Sequence, residues 1–234
     1  SADQMPLYGI KSYGELFTNR QLIALNTFSD LIDDASSKVT QNAIEAGFND
    51  DGIRLDDGGK GATAYGDAIV TYLAFQVDQL ANHLSTICAW HVNNEQLKNT
   101  FSRQAIAMTW DFAETNPFSS STGSMKNLQE RQIKGIINLP GNLKGHAYQM
   151  DAAKQTLSEN KIISTDPPYY DNIMYADLSD YFYVWIRKSL KRIYPSLLST
   201  ISVPKEEELV ASAYRRKNKK DAAVFFMNGM TQAL

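Results

Sequence analysis

Two long stretches with helical spacing of apolar residues constrain what the first half of this chain can fold into. In the first stretch Leu25 and Ile32 belong to an apolar stripe, and Thr18 with Gln21 three residues later forms a capping-box pattern at its start. This pattern predicts a helix that stops at Gly47. After a loop over residues 49–61, rich in glycine and aspartate, a second stripe predicts a helix over residues 62–89. Two antiparallel helices are therefore the expected scaffold of a helical region over residues 1–140.

Composition narrows the class of protein further. Hydrophobic residues make up 43% and charged residues 21% of the 234 residues, which excludes a disordered chain. Cys88 is the only cysteine, so an internal disulfide and a four-cysteine zinc site are excluded, and we expect a reducing, cytoplasmic location and no metal. No apolar run reaches about 18 residues, so we expect no membrane segment.

The pattern changes after Gly145. Residues 146–150 and 161–165 have the composition of short strands, residues 151–158 fit a short helix, and an aromatic-rich stretch predicts a helix over residues 178–193. Strands alternating with helices are typical of an open α/β sheet, in which ligands bind at the carboxyl ends of the strands. The sequence therefore predicts a partial α/β region over residues 141–234.

The most informative motif is Asp166-Pro167-Pro168-Tyr169, directly after the second predicted strand. Two prolines fix the backbone and remove two N–H donors, which leaves a rigid turn rich in hydrogen-bond acceptors. Asp166 and the Pro167 carbonyl can each accept one hydrogen of an exocyclic amine, so that the nitrogen lone pair faces an electrophilic methyl group. Tyr169 can stack on the flat face of a base.

This motif resembles that of S-adenosylmethionine-dependent amino-methyltransferases that modify adenine N6 or cytosine N4 in DNA. The resemblance implies a doubly wound, Rossmann-like methyltransferase domain, S-adenosylmethionine as cofactor, and a target base flipped out of DNA. It assigns Asp151 a hydrogen bond from the adenine amine of the cofactor, although Asp151 can also simply cap the helix that follows it. Tyr170, Asn172 and Tyr175 follow the motif and are candidates to surround the flipped base.

A longer resemblance covers nearly the whole chain. Leu7 to Ile10, Tyr13 to Leu22 and above all Asp166 to Trp185 are similar to large bacterial adenine-specific DNA methylases that carry a zinc ribbon. Those proteins have a glycine-rich cofactor loop upstream, whereas the glycines at residues 58–61 lie between two predicted helices. The chain is therefore interpreted as the C-terminal portion of a longer methylase, and the remainder of the same polypeptide is an expected partner.

Basic residues are concentrated near the end of the chain. Five of the seven residues from Arg215 to Asp221 are basic, and none of the seven is apolar. The basic residues are Arg215, Arg216, Lys217, Lys219 and Lys220. The segment predicts an exposed, mobile loop that contacts DNA phosphates, or else a solvated loop with no partner.

Two other functions remain open from the sequence alone. Related enzymes with a Pro-Pro-Tyr turn methylate guanine N2 in RNA or a glutamine side chain in proteins. Alternatively, the chain is a nucleic-acid-binding or scaffolding domain without catalysis of its own.

Because the glycine-rich cofactor loop is missing, we expect residues 1–234 alone to bind S-adenosylmethionine weakly or not at all and to show no turnover. Isothermal titration calorimetry checks this expectation. Binding in the micromolar range would contradict it.

Overall fold

A computed structural model describes residues 2–102, 105–141 and 145–233, without the side chains of residues 2–4. Five α-helices are described: α1 (Asn19–Glu45), α2 (Ala62–Ala81), α3 (Met125–Ile137), α4 (Tyr175–Leu190) and α5 (Lys219–Ala233). Short 3-10 helices span Ala2–Tyr8, Tyr13–Leu16 and Val92–Asn94. Strands β1 (Trp90–His91) and β2 (Gln96–Leu97) pair antiparallel, with Trp90 opposite Leu97.

Local signals set both ends of α1, as the sequence predicts. The Thr18 backbone N–H donates to the Gln21 side chain at 2.8 Å, and the Gln21 N–H donates to Thr18 Oγ1 at 3.3 Å, which completes the capping box. At the other end Gly47 has a positive φ of 93°, and the Phe48 N–H reaches back to the Ala43 carbonyl. This αL turn ends the helix because glycine adopts it without steric strain.

Small residues let α1 and α2 approach closely. A Cβ atom at Gly66 on α2 would lie only 2.3 Å from Thr40 Oγ1 on α1. At the opposite ends of the pair, the Thr86 N–H donates to the Leu16 carbonyl at 2.7 Å. The late part of each helix thus lies beside the early part of the other, which confirms the antiparallel scaffold.

The second helix is shorter than predicted, since α2 ends at Ala81 rather than near residue 89. Beyond it the backbone makes hydrogen bonds outside a helix: the Thr100 N–H donates to the Asn82 carbonyl at 2.7 Å, and Ser85 Oγ accepts from the Ile87 N–H. Leu84 and Ile87 stay buried all the same. The apolar stripe therefore reflects burial, while tertiary hydrogen bonds decide the backbone conformation.

One hydrophobic core joins the helices. Leu25 and Ile32 of α1 and Val70 and Val77 of α2 belong to the same buried cluster as Tyr181 of α4. Helix α3 begins at the Ser124 cap, whose Oγ accepts from the Asn127 N–H. None of the described helices is both long and apolar enough to cross a lipid bilayer.

The predicted Rossmann-like α/β fold is wrong for the described residues. Residues 145–174 contain turns and extended backbone but neither helix nor strand, and the described strands are the two-residue pair β1 and β2. Ile162 and Ile163, the centre of the second predicted strand, are exposed. Two five-residue segments without neighbouring strands cannot form a stable sheet, because each would leave its backbone groups and one apolar face unpaired. The aromatic-rich stretch does form a helix, α4, three residues earlier than predicted.

Asp78 of α2 is a buried carboxyl group. Its side chain Oδ1 has no hydrogen-bond partner among the described residues, and burial raises its pKa from 3.8 to about 8. The folded chain therefore holds this proton to higher pH than the unfolded chain does. As a result, the free energy of unfolding falls as pH rises from about 4 to about 8.

We expect Asp78→Asn to flatten this pH dependence. At about pH 9 the variant should be more stable than the wild type by on the order of 1–3 kcal/mol, because no buried carboxylate forms, and near pH 5 the two should be similar. Urea denaturation at both pH values measures the difference. Asp34→Asn on the exposed face of α1 is the matched control, and equal pH profiles for all three proteins would contradict the prediction.

Candidate functional site

The Asp166–Tyr169 turn lies on the protein surface. Its Tyr169 hydroxyl donates to Asp166 Oδ1 at 2.9 Å, and this hydrogen bond raises the pKa of Tyr169 above its usual value. The Asn172 N–H donates to the Tyr169 carbonyl at 3.1 Å and tightens the chain after the motif. Among the described residues, neither Asp166 Oδ2 nor the Pro167 carbonyl accepts a hydrogen bond. Two acceptors of the turn therefore face solvent beside an exposed tyrosine ring.

Tyr170 anchors the end of this turn. Its φ of 54° is left-handed, a conformation that non-glycine residues adopt at a cost of roughly 1–3 kcal/mol and that is concentrated at functional sites. The Tyr170 carbonyl accepts from the Ala211 N–H at 3.0 Å, and its ring meets Phe226 of α5 edge-on at 5.1 Å. The motif is thus fixed to a second segment, residues 210–214, that lies 40 positions later in the chain.

The structure brings some predicted substrate-binding residues together. Asn172 is tied to Tyr169 through the backbone hydrogen bond, and Tyr175, the first residue of α4, adds a smaller electrostatic contribution to the raised pKa of Tyr169. Both side chains are exposed. Tyr169, Asn172 and Tyr175 therefore form one surface next to Asp166.

Asp151 is engaged locally instead. Its Oδ2 pairs with Lys154 Nζ at 3.0 Å and its Oδ1 accepts from the Ala153 N–H at 3.0 Å, and these contacts lower its pKa. The carboxylate stabilises a turn, whereas the helix that Asp151 was alternatively predicted to cap does not form. The described structure has no strand end that would carry Asp151 to the Asp166 turn.

The glycine-rich loop offers no cofactor cradle either. A Cβ at Gly59 would meet the Ile53 carbonyl oxygen at 2.0 Å, and one at Gly61 would meet the Asp51 nitrogen at 2.6 Å. These glycines allow the loop to pack on its own backbone, which is further closed by the Lys60 N–H bonded to Asp51. This loop is therefore closed by its own backbone and leaves no space at Gly59 or Gly61 for a cofactor.

The basic segment is partly folded, so the prediction of a mobile loop is wrong for its first two residues. The Arg215 side chain is only 8% exposed and its guanidinium pairs with Asp177 and Glu208. Arg216 lies over the Phe225 ring at 3.7 Å and pairs with Glu206. These acidic partners neutralise both arginines and remove them from the candidate phosphate contacts.

Three lysines of the segment remain exposed. Lys217 lies just before α5, and Lys219 and Lys220 form its first turn. Their ammonium groups make no ion pair with the described residues. The cationic surface of this region is therefore smaller than the sequence predicts and is centred on the start of α5.

A cavity of about 310 Å³ beside the motif was missed by sequence reasoning. One wall comes from the chain after the motif and the other from the segment that precedes α5. The lining residues are Tyr170, Asp171, Met174, Ala211, Ser212, Ala213, Tyr214 and Lys219. No periodicity or spacing signals this cavity, since its two walls lie about 40 positions apart in the chain and meet at the hydrogen bond from Ala211 to Tyr170.

Another cavity, of about 370 Å³, lies between α1 and the segment around Phe118. Its lining is mostly apolar, and its charged groups Arg20 and Glu114 pair with each other at 2.6 Å. It therefore offers less chemistry than the cavity beside the motif.

Comparison with known proteins gives no match to a protein-family model, to a curated protein or to a solved structure.

We expect Arg215→Met to lower the free energy of unfolding by about 2–4 kcal/mol, because it leaves two partly buried carboxylates without their cation. Lys217→Met removes the same charge from an exposed position and should change stability by no more than about 0.5 kcal/mol. Urea denaturation of both variants measures the difference, and equal stabilities would show that Arg215 is not a structural residue.

Proposed function

We propose that this chain binds the exocyclic amine of a nucleobase at the Asp166–Tyr169 turn and is the target-base portion of a DNA amino-methyltransferase, with adenine N6 as the favoured target. One observation carries the proposal: two solvent-facing acceptors with no partner among the described residues, Asp166 Oδ2 and the Pro167 carbonyl, lie on an anchored turn beside the exposed ring of Tyr169. The motif's resemblance to amino-methyltransferases supports the same conclusion.

The chemistry of the turn suits an amine with two hydrogens. Pro167 and Pro168 have no N–H, so their backbone offers no donor to the two remaining acceptors of the turn. Each hydrogen of the amine donates to one acceptor, and the hydrogen bond to the carboxylate is the stronger because the acceptor is charged. Both bonds lie on one side of the nitrogen, which leaves its lone pair directed away from the turn.

The existing hydrogen bond to Tyr169 orients the carboxylate. With Oδ1 held by the Tyr169 hydroxyl, Oδ2 is the atom left for the amine. The same bond holds the tyrosine ring next to the turn, where it can stack on a base, an interaction worth about 1–3 kcal/mol. Asn172 and Tyr175 extend this surface.

S-adenosylmethionine supplies an electrophilic methyl group in this class of reaction. Since the glycine-rich loop packs on its own backbone and Asp151 is engaged with Lys154, we assign the residues that hold the donor to the remainder of the same polypeptide. The same two observations favour a second candidate, a base-binding domain without catalysis. The turn performs the same recognition in both cases.

Amine recognition can be measured on residues 1–234. The probe is a fluorescent single-stranded oligothymidylate with one central adenine, compared with the same strand carrying purine, which lacks the 6-amino group. We expect the adenine strand to bind about tenfold more tightly, because two hydrogen bonds form. Asp166→Ala should reduce this ratio to near one while affinity for the purine strand stays unchanged.

Glu159→Ala is the matched control, since it removes an exposed carboxylate close in sequence but outside the turn. It should keep the full preference for adenine. Equal affinity of the wild type for the two strands, or no binding at about 10⁻⁴ M, where non-specific binding is already expected, would overturn the proposal.

A further inference from the structure

The cavity next to the motif has the size and walls of a ligand site. Its volume of about 310 Å³ falls in the range of small-molecule sites, which begins near 300 Å³. It shares Tyr170 with the anchored end of the Asp166–Tyr169 turn. A ligand in the cavity is therefore a direct neighbour of whatever the turn binds.

A buried hydroxyl without a partner lines this cavity. Ser212 is only 2% exposed, and its Oγ has no hydrogen-bond partner among the described residues. Buried side-chain polar atoms are nearly always hydrogen-bonded, because leaving one unpaired costs roughly 1–3 kcal/mol. A ligand oxygen or N–H in the cavity would complete this bond.

Three further groups define what the ligand must carry. Lys219 begins the 15-residue helix α5, so its ammonium group and the positive end of the helix dipole favour an anion. Asp171, an exposed carboxylate, accepts an N–H. The Tyr214 ring is 86% exposed and is available for stacking on a flat ring. An anion, an N–H donor and a flat ring occur together in a nucleotide.

We infer that this cavity binds one nucleotide of a single strand, adjacent to the base held by the Asp166–Tyr169 turn. Lys219 pairs with the phosphate, Ser212 bonds to the same ligand, Asp171 accepts a base N–H, and Tyr214 stacks on the base. The inference rests on the proposed function in one respect, that the turn and the cavity hold the same strand.

The test uses the purine strand, which lacks the amine that the turn recognises, so that the cavity is measured independently of the turn. Tyr214→Ala should weaken binding of this strand about tenfold through lost stacking. Lys219→Ala should weaken it and lower the salt dependence by about one counterion. Lys220→Ala is the matched control, since it removes the same charge one residue away, outside the cavity lining, and should do neither.

The outcomes separate the two proposals. If Tyr214→Ala has no effect, or if Lys219→Ala and Lys220→Ala weaken binding equally, the cavity assignment is overturned while the adenine preference still tests the turn. If the adenine preference is absent but Tyr214→Ala and Lys219→Ala weaken binding as expected, the turn assignment fails and the cavity assignment is supported. Displacement of the strand by thymidine monophosphate at equal nucleotide concentration would assign the cavity to free nucleotides and overturn the strand assignment.

Discussion

The contacts of the buried Tyr181 side chain are the interactions on which the rest of the structure depends. This side chain is 1% exposed, its hydroxyl donates to the Ala81 carbonyl at the end of α2 at 2.8 Å, and its ring stacks on Phe17 at 5.5 Å. Phe101 and Tyr13 meet the same ring edge-on. Aromatic pairs of this kind contribute about 0.5–1.5 kcal/mol each beyond the burial of their area. One side chain thus joins α4 to α2, to the segment before α1 and to the chain after β2.

The position of α4 in turn fixes the candidate site. Its first turn presents the Ala176 N–H to Glu208 at 3.0 Å and the Asp177 side chain to Arg215, while the Tyr13 hydroxyl donates to the Asp177 carbonyl at 2.6 Å. These bonds hold residues 208–216 against the helical core. That segment then holds the motif through the backbone bond from Ala211 to Tyr170. An exposed loop without a sheet beneath it is therefore kept in place by a helix and one arginine.

Local chemistry explains what could be predicted from the sequence. The Thr18–Gln21 capping box and the Gly47 stop depend on residues within a few positions of each other, and both were predicted from them. The end of α2 at Ala81 could not be predicted in this way. The backbone groups just after it bond to Leu16 and Thr100, which lie far away in the sequence. The prediction of two strands after Gly145 was wrong for a related reason. Their β-branched residues favour extended backbone, but a strand also needs a neighbouring strand to pair with.

The same distinction between local and long-range contacts separates the parts of the candidate site that could be predicted from those that could not. Acceptor chemistry at Asp166 and Pro167 follows from residue type, so the sequence alone could propose it. The role of Arg215 could not be proposed, since its partner Asp177 lies 38 positions away and a run of basic residues predicts an exposed loop. Nor could Ser212, Tyr214 and Lys219 be grouped, because only the contact between Ala211 and Tyr170 brings them beside the motif.

Photocrosslinking tests most directly the central claim that a base binds at the anchored turn. A single-stranded oligonucleotide carrying one 8-azidoadenine is irradiated with residues 1–234, and the linked peptide is mapped by mass spectrometry. The account predicts a link within residues 166–175, and an unmodified adenine strand should compete for it about tenfold better than a purine strand of equal length. A link confined to α1, α2 or the loop over residues 49–61, or one that both strands compete equally, would contradict it.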